Sequence, residues 1–562
     1  MKTIIRLILF FVCMGFFFSS CNKEFLDKPP LGIQVATNFL VTDSNAYYAT
    51  IAVYNVIRAE ETYSESEWVF GDVASDDAES GGQKGGSDPT TTPLYLDRLN
   101  ILPSNGLLET YWSGMFTGIY RANVIINYLD TIKVSKKTAH SCLGEAFFLR
   151  AMMYFDLVKV FGGVPLPPST GFLTGKEARS SIKETYNFVE ADLKKAINLL
   201  PAKRPLSEEG RVTSGAAKAL LTKLYVFESS YAELSDPNGV FTGCTNRWKE
   251  AQNMAEDIIN NKAIYGYDLD PVYNNLFHFV NDVKVYSPEY VFIVNSVRKV
   301  NYGFPDINYD GTEWGTLGGI GSAITTWQCC RGYYNSGGKV VDDYNLGYGF
   351  NCPTKELFNA FNHNDPRFRA TILQDKIDSV QRLDATSGTL QWFKFSTDAS
   401  STGYNNKKYS PITSVERGDA QLDGTNGHVG NLDVKLIRYA DVILWAAEAS
   451  FKNGDVAKAT TYVNQIRARA RNSVTPASTE PADYSTVTID DIYNERRLEL
   501  ALEGHRYFDL VRTGKAYASL NGQINSLTGL PLEFVQYTYN FFPIPATEIT
   551  MTNNILKQNP GY

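Results

Sequence analysis

The sequence has few of the residues that usually carry catalysis. Its five histidines, at 140, 278, 363, 428 and 505, stand far apart in 562 residues, so they give no local ligand or nucleophile–base spacing. There is no CxxC pair, HExxH, P-loop, GxSxG, or GxGxxG after a strand, and sequence support for zinc, nucleotide and serine-hydrolase chemistry is removed with them. Charge of one sign is also missing. Lys and Arg total 53 against 61 Asp and Glu, a net −8 without a basic stripe, so nucleic acid is not an expected partner. Carboxylates are plentiful, so a distant acid–base pair of the glycosidase type stays open as an alternative. Cysteine is scarce: setting aside Cys13 and Cys21 leaves Cys142, Cys244, Cys329, Cys330 and Cys352, an odd number with no evident disulfide framework. Cys329–Cys330 could form a strained vicinal bridge, but two separately buried thiols are the preferred reading.

Aromatics are abundant, at 13% with 34 Tyr. Tyrosine joins an apolar body to a polar tip and suits wet binding surfaces. The length allows a large core and several domains.

Residues 1–20 read as a targeting segment, with Lys2 and Arg6 before an apolar run, Leu7–Phe18, too short to span a bilayer. Phe18-Ser19-Ser20-Cys21 resembles a lipobox, although Leu is usual where Phe18 stands. It makes Cys21 the expected lipidation site, where acyl chains contribute about 0.8 kcal/mol per buried CH₂. Residues 21–31 are a polar tether, in which Glu24 and Asp27 resemble the acidic residues of a surface-export signal.

Three- and four-residue apolar steps predict helices over Ser44–Arg58, Leu107–Leu129, Ala139–Phe161, Arg179–Leu200, Val212–Glu228 and Trp248–Asn261. Ala139–Phe161 is apolar on most sides and should be central. Its Leu143-Gly144-x-x-Phe147 and Ala151-x-x-x-Phe155 resemble the tetratricopeptide pattern, in which small residues let paired helices pack closely. Val434–Arg471 reads as a helical hairpin, turned at Asn453-Gly454 and capped by Asp455, with Arg438 and Asp441 spaced to pair. The expected fold is mainly α: a tetratricopeptide-like scaffold of about four helix pairs, with a loop-rich subdomain and few short strands.

Two stretches depart from this period. Residues 62–100 hold GDVASDDAES and a Gly-rich run, which put Asp72, Asp76, Asp77, Glu79, Tyr95, Arg98 and Asn100 in one loop. Carboxylates there suit Ca²⁺ in principle, but the spacing fits no calcium loop, so no cofactor is expected. Residues 265–433 interrupt the repeats, and Tyr302–Tyr348 alone holds nine aromatics and ten glycines. Long aperiodic segments tend to carry function. Aromatic faces such as Tyr302, Tyr309, Trp314, Trp327, Tyr333 and Tyr334 suit the C–H faces of sugar rings, and a local core under the insertion is the competing reading.

Ile489–Gly514, IDDIYNERRLELALEGHRYFDLVRTG, reads as one helix. Leu498, Ala501, Leu502 and Phe508 mark a buried side, Asp490 or Asp491 can cap it, and Gly514 ends it. Glu503 with Arg506 and Asp509 with Arg512 are spaced to pair, and Gly504 suggests a bend or a close backbone approach. ERRLELALEGHRYFDLVRTG, then FFPIP, then a terminal NPGY, together resemble the C-terminal signature of the SusD/RagB family of outer-membrane nutrient-binding lipoproteins. The resemblance divides the chain into a helical region 32–264, a ligand-binding insertion 265–433 and a C-terminal signature region 434–562. It implies a non-catalytic, lipid-anchored protein facing the cell exterior. Such a protein captures a nutrient, most often a glycan, and passes it to a TonB-dependent SusC-like β-barrel. It also implies that aromatics of the insertion act together with the early loop, and that the chain end packs back on the scaffold. A surface glycoside hydrolase and a protein-binding adhesin are the rivals.

Overall fold

Several of the long helices start where a side chain satisfies the free N–H groups of a first turn. In the computed structural model, which describes residues 36–57, 62–63, 66–81, 95–168, 171–280, 285–295, 332–336, 339–343, 350–374, 377–378, 380–383, 390–395, 400–410 and 432–562, these starts are clear. Helix α1 is Asp43–Ile57 and α2 is Gly106–Tyr128, capped by Asn105. Helix α3, Lys136–Phe161, is capped by Ser135, and α4, Ile182–Leu199, has a Ser181/Glu184 capping box. Helix α5, Ser214–Glu233, is capped by Thr213, and α6 is Trp248–Asn260. After the insertion come α7, Tyr439–Lys452, and α8, Val456–Asn472, which Asp455 caps.

These helices stack in chain order, α1 on α2 and α3, then each on its successor through α8. Residues Ala146–Phe161 of α3 are all buried, because helices lie on every side of it. Gly144 sits where a Cβ would come 2.8 Å from Leu200 Cγ, so the small residue lets α3 and the end of α4 approach. The insertion leaves after α6 and returns at α7, and the stack closes across that gap. Asn453 Nδ2 donates to Trp248 O (3.0 Å) and Gln252 Oε1 (2.9 Å), and Lys458 meets Glu256 at 2.9 Å. The fold is mainly helical, as expected.

Strands among the described residues are short. β1 (Ala78–Glu79) pairs with β5 (Cys352–Pro353), and β2 (Tyr290–Val294) with β10 (Val434–Arg438). β3 (Gly332–Ser336), β4 (Lys339–Asp343), β7 (Val380–Leu383) and β8 (Leu390–Phe395) form a sheet in the order β4-β3-β8-β7. β6 (Ile372–Gln374) pairs with β9 (Tyr404–Asn406).

The signature stretch differs from the single helix expected. It forms α9, Ile489–Glu499, and α10, Arg506–Arg512, with a break between. Leu502 and Gly504 take positive φ, 62° and 79°. The cause is tertiary: the Gly504 N–H donates to Asp72 Oδ1 at 2.9 Å, and a Cβ on Gly71 would lie 2.0 Å from Gly504 O. Two backbones touch there, which only glycine permits. Thr488 is the N-cap, and Asp491 completes its capping box. Asp509 and Arg512 pair at 2.8 Å as spaced, and Gly514 ends α10 at φ 71°. Glu503 and Arg506 do not pair: Glu503 meets Arg438 and Lys408, while Arg506 meets Asp76. Arg438 gives Asp441 only its backbone N–H, at 3.1 Å.

The Arg438 side chain instead enters a buried lattice of charge. It donates to Glu503 at 2.7 Å, Glu499 at 3.1 Å and Glu289. Arg367 joins Glu495 (2.6 Å), Glu499 (3.0 Å) and Asp365 (2.7 Å). Arg469 bridges Glu289 and Glu499, Lys408 meets Glu503 at 2.7 Å, and Arg467 meets Glu495 at 2.6 Å. Burial alone would raise the Glu499 and Glu503 carboxyls, but the surrounding arginines hold both below their ordinary 4.5. Burial pushes Lys408 down to about 8.

The chain end packs back on the scaffold. Phe542 N–H donates to Val160 O at 2.7 Å, and the Asn559 amide donates to Phe161 O (3.0 Å) and Phe542 O (2.7 Å).

Removing one member of the lattice strands the others. Arg438→Met should lower unfolding stability in urea by about 3–5 kcal/mol. Lys515→Met, which removes an exposed partner of Asp490, should leave it unchanged. Carboxyls held below 4.5 stabilise the fold above that pH and lose the contribution as pH falls, so Glu499→Gln should flatten the acid limb of stability below about pH 4.5.

Candidate functional site

The acidic early loop turns inward. Asp72 accepts from Gly504 N–H and, at 3.2 Å, from Asn351 Nδ2. Asp76 holds Arg506 through two bonds of 2.7 and 2.8 Å, and Asp77 accepts from Arg497 Nε at 2.6 Å. Glu79 accepts from the Ser526 N–H at 2.9 and 3.0 Å and from its hydroxyl at 2.9 Å. Asp77 is fully buried, so this candidate braces the loop from within. Among the described residues no group of three or more His, Cys, Asp or Glu is arranged to hold a metal ion.

What the loop presents outward comes later. Residues 95–97 make one helical turn, and Leu96, Leu99 and Ile101 anchor it in the core. The Asn100 N–H closes onto Tyr95 O at 2.8 Å. With the apolar residues inside, Tyr95 is 43% exposed, Asn100 is exposed and Arg98 is half-buried between them. Arg98 Nε is shut off from solvent and has no hydrogen-bond partner. A guanidinium carries five donors in a fixed fork, so with Nε enclosed only the terminal nitrogens of Arg98 are left to meet a ligand.

Two other parts of the sequence brace this turn. Asp97 Oδ2 accepts from Ser80 Oγ at 2.9 Å and Asn525 Nδ2 at 3.1 Å. Asn525 and Ser526 belong to an arm, residues 521–532, folded on itself through Gly522 N–H to Leu532 O and Asn525 N–H to Leu530 O. The insertion arrives through β5 on β1, Gly81 N–H to Phe350 O at 3.3 Å, and Thr354 Oγ1 to Asp76 O at 2.6 Å. The early loop and the insertion therefore meet at β1 and β5. Burial raises the Cys352 thiol to about 11. Burial, with Glu79 beside it, pushes the Asp97 carboxyl up to about 8.

Of the insertion aromatics, Tyr333 and Tyr334 lie in β3, paired with Asp342 and Val341 of β4 and with Lys394 and Phe393 of β8. Tyr302, Tyr309, Trp314 and Trp327 lie outside the described residues, as do Cys21, Cys329 and Cys330. Sequence reasoning missed Asp97, Asn525 and Ser526. Their only signal was a cluster of small polar residues between hydrophobic ones, the common mark of a turn.

The folded Asp97 keeps its proton where the unfolded chain, with an ordinary value of 3.8, has lost it. Its contribution to stability is therefore largest at low pH and is lost as pH rises from about 4 to 8. Asp97→Asn keeps an acceptor for Ser80 and Asn525 without that ionisation. Urea midpoints at pH 5 and 8 should differ less in this variant than in the parent.

Comparison with known proteins agrees with this architecture. A family model described as the SusD family matches residues 289–562, and one described as starch-binding associating with outer membrane matches residues 24–226. A SusD-like protein of Formosa agariphila is 23% identical over 554 residues, covering 96% of each chain. The starch-binding protein SusD of Bacteroides thetaiotaomicron is 26% identical over 451 residues, covering 74% of this chain and 72% of its own. Among solved structures, a laminarin-binding SusD-like protein superposes with a TM-score of 0.70 at 27% identity, covering 92% of this chain and 99% of its own.

Proposed function

Because this chain belongs to the SusD/RagB family, we propose that it is a non-catalytic cell-surface receptor that captures a glycan and hands it to a TonB-dependent SusC-like barrel. The observation that carries the capture step is the turn that sets half-buried Arg98 between exposed Tyr95 and Asn100. In this reading the Tyr95 ring stacks on the C–H face of a sugar, and Arg98 and Asn100 hydrogen-bond its hydroxyls. Relatives that bind starch and laminarin support a glucan-like ligand. The loop is held by buried contacts before ligand arrives, which lowers the ordering cost of binding.

A glycosidase needs two carboxylates facing one cleft. Asp97 and Glu79, the acids nearest the loop, are committed to Ser80, Asn525 and Ser526 instead. The glycan-binding relatives support the non-catalytic reading.

Attachment through a lipidated Cys21 and delivery to a barrel rest on the family and on the sequence before residue 36. Among the described residues no helix is long and apolar enough to cross a membrane.

Arg98→Ala should weaken binding of oligosaccharides from starch or laminarin about 10- to 100-fold by calorimetry, the loss of a charged hydrogen bond worth about 1.5–3 kcal/mol, with the thermal midpoint unchanged. Unaltered affinity would remove the loop from the site. Gentle detergent extraction and affinity capture of the full chain should bring a large β-barrel in near-equal amount, and Cys21→Ala should release the protein from membranes. Recovery of the chain alone would overturn the delivery role.

A further inference from the structure

A second pocket lies beyond the signature helix, where the chain after α10 and residues 534–540 meet the end of α5. Its cavity is about 120 Å³. Phe534 supplies an apolar wall, and Tyr517, Gln536, Tyr537 and Asn540 bring hydroxyl and amide groups to it. No residue lining it carries a charge. Among the described residues, no side-chain hydrogen bond engages Gln536, Asn540 or the hydroxyls of Tyr517 and Tyr537. Tyr537 is held at φ 66°, a conformation a non-glycine residue adopts at a cost, and Tyr517 is 46% exposed.

This chemistry selects a ligand class. Amides and phenols both donate and accept, as sugar hydroxyls do. An ionic ligand would find no counter-charge in the lining, and a purely apolar one would cover unsatisfied amides. Aromatic rings give the C–H face of a pyranose a surface to rest on. The cavity is smaller than the roughly 150 Å³ that encloses a benzene, so it takes the end of one ring, not an oligosaccharide.

We propose that this pocket is a second saccharide site, specific for a single neutral sugar residue. It shares no lining residue with the Tyr95–Asn100 loop, and its argument does not need that loop to bind. The 521–532 arm connects the two. Asn525 and Ser526 brace the loop at one end, and Asn521 Oδ1 accepts from Phe534 N–H at 3.2 Å at the other. Both sites therefore adjoin one connector, and a branched or long glycan engaging both gains effective concentration at the second.

The test uses the full chain and saturation-transfer NMR with methyl glycosides of glucose, galactose, mannose and xylose, with cyclohexanol and glucuronate as controls. In an Arg98→Ala background at least one neutral methyl glycoside should still receive transfer. Both Tyr517→Ala and Gln536→Ala, at exposed positions, should cut that binding about tenfold and leave oligosaccharide binding at the loop unchanged. Absence of transfer in the Arg98→Ala protein, equal transfer to cyclohexanol or glucuronate, or indifference to both pocket substitutions would overturn the second site. The first of these with strong binding in the parent would leave the loop reading standing. Pocket binding with an Arg98→Ala variant that binds oligosaccharide as the parent does would sink the loop reading alone.

Discussion

Five cations and five carboxylates share the interior where α7, α8 and α9 meet the roots of the insertion: Arg367, Lys408, Arg438, Arg467 and Arg469 against Glu289, Asp365, Glu495, Glu499 and Glu503. Any one of these charges buried alone would be costly, and the set is tolerable only when every member finds its partner. Asp365, Arg367 and Lys408 come from the insertion, as does Glu289 just before β2; Arg438 ends β10, Arg467 and Arg469 lie in α8, Glu495 and Glu499 in α9, and Glu503 in the break after it. The lattice therefore fixes the register between an aperiodic segment and a periodic stack that have no repeat in common. Apolar packing, which is non-directional, gives less control over that register than charges that each need a particular neighbour.

From that anchorage the binding surface follows. With the insertion fixed at its base, β5 can lie on β1, and the early loop is clamped between Arg497, Arg506 and the 521–532 arm. Asp72 and Asp97 serve the clamp by different means. Asp72 holds the helix break through Gly504, and Asp97, carrying a proton at neutral pH, packs against Ser80 and Asn525. Arg98 stands half-buried between the exposed Tyr95 and Asn100.

Much of the scaffold was legible because helices announce themselves locally. The three- and four-residue steps gave α2 through α6 within a few residues, and Asn453-Gly454 with Asp455 gave the α7–α8 turn. The family resemblance, not the periodicity, supplied the returning chain end. What stayed hidden depends on contacts between residues far apart in sequence. The partner of Asp77 lies 420 residues away at Arg497, and the break at Leu502–Gly504 is imposed by the backbone of Gly71. No local period records either. The acidic loop looked like a ligand surface because the same carboxylates that attract ligands also close ion pairs, and only burial separates the two roles.

The docking of Phe542 and Asn559 onto the end of α3 sets an order on biogenesis. The most deeply enclosed helix is finished early in synthesis, yet the Val160 carbonyl takes its partner from Phe542, and the Phe161 carbonyl, which Arg179 reaches at 2.9 Å, gains a second from Asn559. Glu289 likewise waits for Arg438 and Arg469. A chain cut before residue 542 would lack these contacts, leaving the end of α3 less covered and more open to proteolysis or aggregation.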